Sequence, residues 1–135
     1  MDTVAKQSKK IDKILNQVHG LCEEMEDADC HRVRDIIEYI TNRWSLSVLS
    51  RLAQTKGSLR FSELQRQVGG VTQKVLTQTL RRLEDNGLVT RTVYAQVPPR
   101  VDYTITPLGV GMLENILPAW VWIAVRLQDF GKKEL

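Results

Sequence analysis

The sequence predicts a mainly α-helical chain with one small β-hairpin, an α+β architecture in a single domain of 135 residues. Three observations predict it. Apolar residues recur at helical spacing near both ends of the chain. In the middle, two short helical patterns meet at Gly69-Gly70. Directly after them, residues 88–95 and 100–106 form two strand-like runs rich in Val, Tyr and Thr.

Residues 4–26 read as an amphipathic helix, because Ile11, Ile14, Leu15, Val18, Cys22 and Met25 share one side while Lys6, Lys9, Lys10 and Lys13 lie mostly off it. The acidic cluster Glu23, Glu24, Glu26, Asp27 and Asp29 is assigned to the end of this helix and a linker. A second helix is expected from about Val33 to Ile40, and a third from Trp44 to about Ala53, with Leu46, Val48, Leu49 and Leu52 inward and Trp44 in the core. Gly57 closes the next turn, and residues 59–61 form a short strand. Ser62-Glu63-Leu64-Gln65 fits a capping box, with Ser62 as N-cap and Gln65 reaching back to it.

The helix begun there stops at Gly69-Gly70. Thr72 then caps a helix running through Glu84, which Asn86-Gly87 ends with a left-handed cap. Two helices joined by a glycine turn and followed by a hairpin have the order of a winged helix-turn-helix. In the second strand Val101, Tyr103 and Ile105 alternate with Arg100, Asp102 and Thr104, which predicts one buried and one wet face. Tyr94 and Tyr103 are assigned to packing. Thr106-Pro107 opens the last helix as N-cap and first helical residue, Leu113, Ile116, Leu117, Trp120, Ile123, Ala124 and Leu127 form its apolar side, and Pro118 is placed to kink it. The expected organisation is an N-terminal helix and linker at 1–29, a core at 30–106 and a C-terminal helix at 107–135.

Composition bounds the function. Hydrophobic residues make up 42% and charged residues 26%, an ordinary globular balance. The polar N-terminus has no signal-peptide pattern, and the longest apolar run, residues 116–125, is short of a bilayer span and interrupted by Pro118, so a cytoplasmic protein without a membrane partner is expected. The net charge of +3 is unevenly spread: residues 43–106 hold ten Lys/Arg against four Asp/Glu, a distribution that suits a region facing a polyanion and, on charge alone, equally a solvated basic surface.

On a helical wheel, Leu76, Leu80 and Leu83 fall in one narrow arc. Lys74, Gln78 and Arg81 lie opposite, with Gln73 and Thr77 on one flank and Arg82 on the other. Such a face carries the donors that read base edges and hold phosphates. The expected DNA-contacting set in recognition helix 72–86 is therefore Thr72, Gln73, Lys74, Thr77, Gln78, Arg81 and Arg82. Wing 88–106 adds Arg91, Pro98, Pro99 and Arg100, whose proline pair stiffens the tip. For Arg91, a cross-strand pair with Asp102 is an equally good reading.

These motifs closely resemble the HxlR family of MarR-like winged-helix transcription regulators. The resemblance is carried by Arg34-Asp35, Arg43-Trp44-Ser45-Leu46, Leu59-Arg60-Phe61-Ser62-Glu63-Leu64 and Leu76-Thr77-Gln78-Thr79-Leu80-Arg81-Arg82-Leu83. Gly87-Leu88-Val89, Val97-Pro98-Pro99-Arg100-Val101-Asp102-Tyr103 and Thr106-Pro107-Leu108-Gly109 complete it, over about residues 30–109. It implies a homodimer on a pseudo-palindromic double-stranded DNA operator, held together by the first and last helices. A small-molecule effector is a further candidate partner, with no residue pattern of its own to mark its site. Two departures stand out: Thr41-Asn42 replaces glycine-rich residues, and Cys30, followed by His31-Arg32 instead of proline, is displaced by one position from the Cys-Pro that many relatives have close before the Arg-Asp step. In some relatives that thiol senses oxidants or electrophiles.

Cys30 is accordingly a candidate redox sensor, activated by His31, Arg32 and Arg34 near a helix N-terminus; the competing reading is a small, partly buried residue without a signalling role. Cys22 is assigned to packing. His19, Cys22, Cys30 and His31 are four zinc-competent side chains, but adjacent Cys30 and His31 tend to diverge, so no metal and no other cofactor is expected. No nucleophilic triad, phosphate loop or catalytic carboxylate pair stands out, and the chain is read as non-enzymatic. The alternatives to a DNA-binding regulator are a winged-helix protein-interaction module that has lost DNA affinity, or a thiol- or metal-responsive form of the same regulator.

Overall fold

The structure, a computed structural model, describes the backbone of residues 2–131 and the side chains of residues 6–131; the last four residues of the predicted C-terminal segment lie outside the described residues. The chain forms two compact units, Met1–Tyr39 and Ile40–Leu135. The first consists of α1 (Asp2–Glu24) and all but the last residue of α2 (Asp27–Ile40). α2 begins six residues before the predicted start at Val33, because Asp27 and Asp29 occupy its first turn, where carboxylates favour the positive end of the helix dipole. The acidic run is thus a helix start as well as a linker, and it draws Cys30 into the helix.

In the second unit, α3 (Arg43–Gln54) is capped by Asn42, whose side chain accepts from the Trp44 amide at 2.9 Å. Trp44 is half-buried rather than a core residue, with the Arg43 guanidinium 4.5 Å from its ring centroid. β1 (Leu59–Arg60) is followed at once by α4 (Phe61–Val68), so Phe61 is helical and not part of the strand. The predicted capping box does not form. Arg60 is the N-cap, with no side-chain bond, and Gln65 donates instead to the Val71 carbonyl at 3.3 Å. That bond ties α4 across the Gly69-Gly70 turn, where both glycines have φ near +70°, to the segment leading into α5 (Gln73–Asp85).

α5 starts and stops as expected. Thr72 accepts from the Val75 amide at 3.2 Å. At the other end Leu88 N–H donates to Leu83 and Gly87 N–H to Glu84, both at 2.9 Å, with Gly87 at φ 75°, a Schellman motif. β2 (Val89–Tyr94) and β3 (Arg100–Ile105) then form the antiparallel wing, from Val89 opposite Ile105 to Tyr94 opposite Arg100. β1 adds to the other side of β3, pairing Leu59 with Tyr103 and Arg60 with Asp102, so the sheet has three strands in the order β1-β3-β2. Leu49, Leu52, Leu64, Leu76, Leu80, Leu83 and Leu88 form a core in which each is at most 2% exposed.

α6 (Pro107–Val125) is capped by Thr106, which accepts from Gly109 N–H at 3.1 Å and donates to the Gly87 carbonyl. Gly109 lets this helix start hard against the wing: a Cβ there would strike the Leu88 carbonyl and lie 2.7 Å from Ile105 Cγ1. Beyond Leu113 the helix is apolar yet largely open to solvent, with Trp120 61% and Trp122 54% exposed.

Candidate nucleic-acid interface

α5 divides into the two faces its sequence predicts. Leu76, Leu80 and Leu83 are buried, while Thr72, Gln73, Lys74, Gln78, Arg81 and Arg82 are exposed and Thr77 is half-buried. The division follows from three leucines spaced four and three residues apart, which put one arc of the helix against α3 and leave the opposite arc polar. Thr77 donates its hydroxyl proton to the Gln73 carbonyl at 2.7 Å, so its one side-chain donor is already used within the helix.

The wing brings a further arginine to this helix. Arg91 of β2 lies opposite Tyr103 and lines a polar cleft of about 380 Å³ with Thr77, Arg81, Glu84 and Asp85. It does not pair with Asp102, which faces Thr92 across the ladder and bonds elsewhere. Arg81 and Arg91 therefore reach one concavity from two elements, with two carboxylates at its edge.

Arg100 is engaged in a different way. Its Nε and Nη2 donate to the two oxygens of Asp102, both at 2.9 Å, and its guanidinium lies 5.2 Å from the Tyr94 ring centroid. Ser58, ahead of β1, donates to the same carboxylate at 3.1 Å. Asp102 is only 2% exposed, against the alternation that places it on the wet face. The alternation is correct about the face: Arg100 and Asp102 stand on one side of β3. That side is covered at Asp102 by the Arg100 side chain and Ser58, so a charged residue is buried with its partners. The wing tip, including exposed Pro98 and Pro99, therefore springs from an arginine whose fork is already filled by a carboxylate. Pro98, Pro99 and Arg100 line a second cleft, of about 300 Å³, with Arg60, Phe61 and Ser62.

The Arg100 hydrogen bonds, then that of Ser58, hold the Asp102 carboxyl below its ordinary range, against the opposing effect of desolvation. A carboxylate with a depressed folded-state pKa stabilises the fold above its unfolded pKa of about 4 and loses that contribution as pH falls through the folded value. The thermal midpoint should thus fall on acidification below about pH 4, and Asp102→Asn, which keeps the shape but not the charge, should flatten part of that fall. Parallel melting curves for both proteins from neutral to strongly acidic pH test this; superimposable pH profiles would show that the carboxylate contributes nothing.

Cys30 lies in the first turns of α2, its amide bonded to the Glu26 carbonyl at 3.1 Å. Its pKa is raised, by partial burial first and then by the Cys22 thiol and Asp27, with Arg34 acting in the opposite direction. This is the reverse of the activation expected from its basic neighbours: the sulfur beside it and the loss of water outweigh Arg34. Among the described residues no group of three or more His, Cys, Asp or Glu side chains comes together, so His19, Cys22, Cys30 and His31 do not assemble a zinc site.

Comparison with known proteins agrees with this architecture. The HxlR-like helix-turn-helix family matches residues 39–129. The HTH-type transcriptional regulator YtfH of Escherichia coli is 38% identical over 96 residues, which span 71% of this chain and 75% of that one. YtfH from Salmonella typhimurium superposes with a TM-score of 0.63 at 37% identity, covering 72% of this chain and 85% of that one. The redox regulator HypR in its reduced form superposes with a TM-score of 0.62 at 31% identity, over 73% of this chain and 99% of that one. A polar recognition-type helix on a leucine core, a two-stranded wing after it and these relatives lead to one conclusion: the chain belongs to the HxlR-like family of winged helix-turn-helix transcription regulators, a class of DNA-binding proteins rather than of enzymes.

Proposed function

We propose that the protein is a cytoplasmic homodimer that binds a pseudo-palindromic operator, with α5 in the major groove and the β2-β3 wing on the phosphate backbone or minor groove. The observation that carries this reading is the exposed face of α5: Gln73, Lys74, Gln78 and Arg81 stand outward on a helix whose opposite side is sealed by Leu76, Leu80 and Leu83. Gln and Arg on that face suit adenine and guanine edges, and Lys74 suits a phosphate. Thr72, Thr77 and Arg82 border the contact. Arg91 reaches a phosphate from the cleft it shares with Arg81, and Pro98 and Pro99 present the wing tip. Arg100 acts chiefly by bracing that tip through Asp102. No catalytic role is assigned to any residue.

The end helices supply the dimer. Ile11, Ile14, Leu15 and Val18 of α1 are each 45–48% exposed along one stripe. α6 is long and apolar enough by length and composition to cross a membrane, with only 11% of it buried within the chain. In a family of DNA-binding regulators, a second copy is the cover that such a surface calls for. An open groove of about 700 Å³ between α3 and α6, lined by Leu113, Leu117, Val121 and Trp122, offers a seat for a partner helix or an apolar effector. A two-fold dimer would set its two α5 helices about one DNA turn, ~34–36 Å, apart.

The test is fluorescence anisotropy on DNA upstream of the protein's own gene, read against shuffled DNA of equal length, with reduced and with mildly oxidised protein. Tight binding of two chains per site, steeply weakened by salt, is the expected result. Equal affinity for shuffled DNA would remove the operator reading. A response to oxidation would make Cys30 or Cys22 the switch, whereas equal binding in both states would keep the operator reading and move the search for the signal to a non-covalent ligand or a metal.

A further inference from the structure

Three sulfur atoms gather where α1 passes into α2. Cys22 lies in the last turn of α1, and Met25, three residues on, continues the helical bonding through its amide to Leu21 at 3.0 Å. Residues three apart on a helix are neighbours on its surface, so the Cys22 and Met25 side chains share one side. Cys30 returns to the same place from α2: its Sγ is 4.0 Å from Met25 Sδ, and the Cys22 thiol is among the groups that act on it. The cluster is accessible, with Cys22 exposed and Met25 and Cys30 half-buried.

We propose that Cys22, Met25 and Cys30 form a three-coordinate site for a soft monovalent metal ion, copper(I). The donor set decides the class of ion. Two thiolates and a thioether are soft ligands that select copper(I), whereas zinc takes four ligands and completes its sphere with imidazole or carboxylate. No such third hard or borderline donor joins these cysteines among the described residues. The Met25–Cys30 separation suits a trigonal geometry. A trigonal-planar ion with metal–sulfur bonds of about 2.3 Å holds its donors about 4.0 Å apart, which is the separation already present between Met25 and Cys30. Binding releases one proton from each thiol, Cys22 and Cys30, and leaves a site of net charge −1, with Arg34 the cation that acts on Cys30. No oxidation state changes. The ion would clip the end of α1 to the start of α2, and this property does not depend on the operator reading.

The test uses the full chain, reduced and handled without oxygen, titrated with copper(I) in competition with a bicinchoninate indicator. One copper per chain is expected, with three sulfur neighbours at about 2.3 Å by X-ray absorption. Cys22→Ser and Cys30→Ser should each weaken binding by about 100-fold or more, and the volume-conserving Met25→Leu by about 10-fold. Failure to compete with the indicator, affinity unchanged in Cys30→Ser, or tighter retention of zinc than of copper(I) would each overturn the proposal. Because every readout is made without DNA, loss of operator binding and loss of the copper site are told apart.

Discussion

Leu80→Ala should lower the unfolding free energy by about 2–5 kcal/mol, the range for a leucine removed from a close-packed core. Leu80 is 1% exposed, between Leu76 and Leu83 at 0%. These three are the main apolar support of α5 on α3, and the helix has no leucine outside that arc with which to turn and refill the space. The loss should appear as a thermal midpoint lower by roughly 10 °C or more and as a denaturant midpoint shifted at constant m-value. Protein concentration must be held fixed, since association of two chains adds to apparent stability. Gln78→Ala, on the opposite and exposed face, should stay within about 0.5 kcal/mol of the parent. A Leu80→Ala protein that melts with the parent would mean that α5 is not held by its leucine face, and the assignment of the opposite face to DNA would lose its basis.

The same helix explains why this part of the molecule was legible in the sequence. Thr72, three leucines on one arc and Asn86-Gly87 are local signals that agree with one another, and the observed cap, burial and Schellman motif reproduce each of them. Elsewhere local signals competed. Ser62 and Gln65 satisfy the pattern of a capping box, yet the helix begins one residue before Ser62 and Gln65 bonds to Val71. The Val71 carbonyl lies across the turn, and a pattern of four residues cannot register an acceptor outside itself. Asp27 and Asp29 read as linker because acidic residues carry no periodicity, although at a helix start their charge is favourable.

Asp102 marks a deeper limit. Alternation along a strand tells which face a side chain is on, not what covers that face. One partner of Asp102, Ser58, is 44 residues away, and its placement depends on β1 joining β3, a pairing with no local signature in a strand of two residues. The consequence for the interface is concrete: of the two wing arginines expected to contact DNA, Arg100 is committed to Asp102, whereas Arg91 opens into the cleft beside Arg81. The sulfur cluster escaped for a related reason. In sequence the two cysteines pair most readily with His19 and His31, whereas the sulfur found beside Cys30 belongs to Met25, a residue whose apolar spacing assigns it to packing.

Lys74→Ala with Arg81→Ala should reduce operator affinity by about 10- to 1,000-fold at physiological salt and make the logarithmic salt dependence shallower by about 2 if both side chains neutralise phosphates. The single variants separate two kinds of contact. A side chain that holds a phosphate lowers affinity for every sequence alike and takes about 1 from the salt slope. A side chain that reads a base costs about 1–3 kcal/mol on the operator and relaxes the preference at one position, with less change on shuffled DNA. Arg81 sits toward the cleft that it shares with Arg91, Glu84 and Asp85, and Lys74 lies in the first turn of α5, so the expected split is phosphate for Lys74 and, for Arg81, a contact coupled to Arg91. A double-mutant cycle between Arg81→Ala and Arg91→Ala measures that coupling, and a non-additive loss of about 0.5 kcal/mol or more places both arginines on one element of the DNA. Strict additivity would assign them to separate contacts. An operator affinity and salt slope untouched by the Lys74 and Arg81 substitutions would move the DNA off this face of α5 altogether, and the exposed apolar helices would then favour a protein partner.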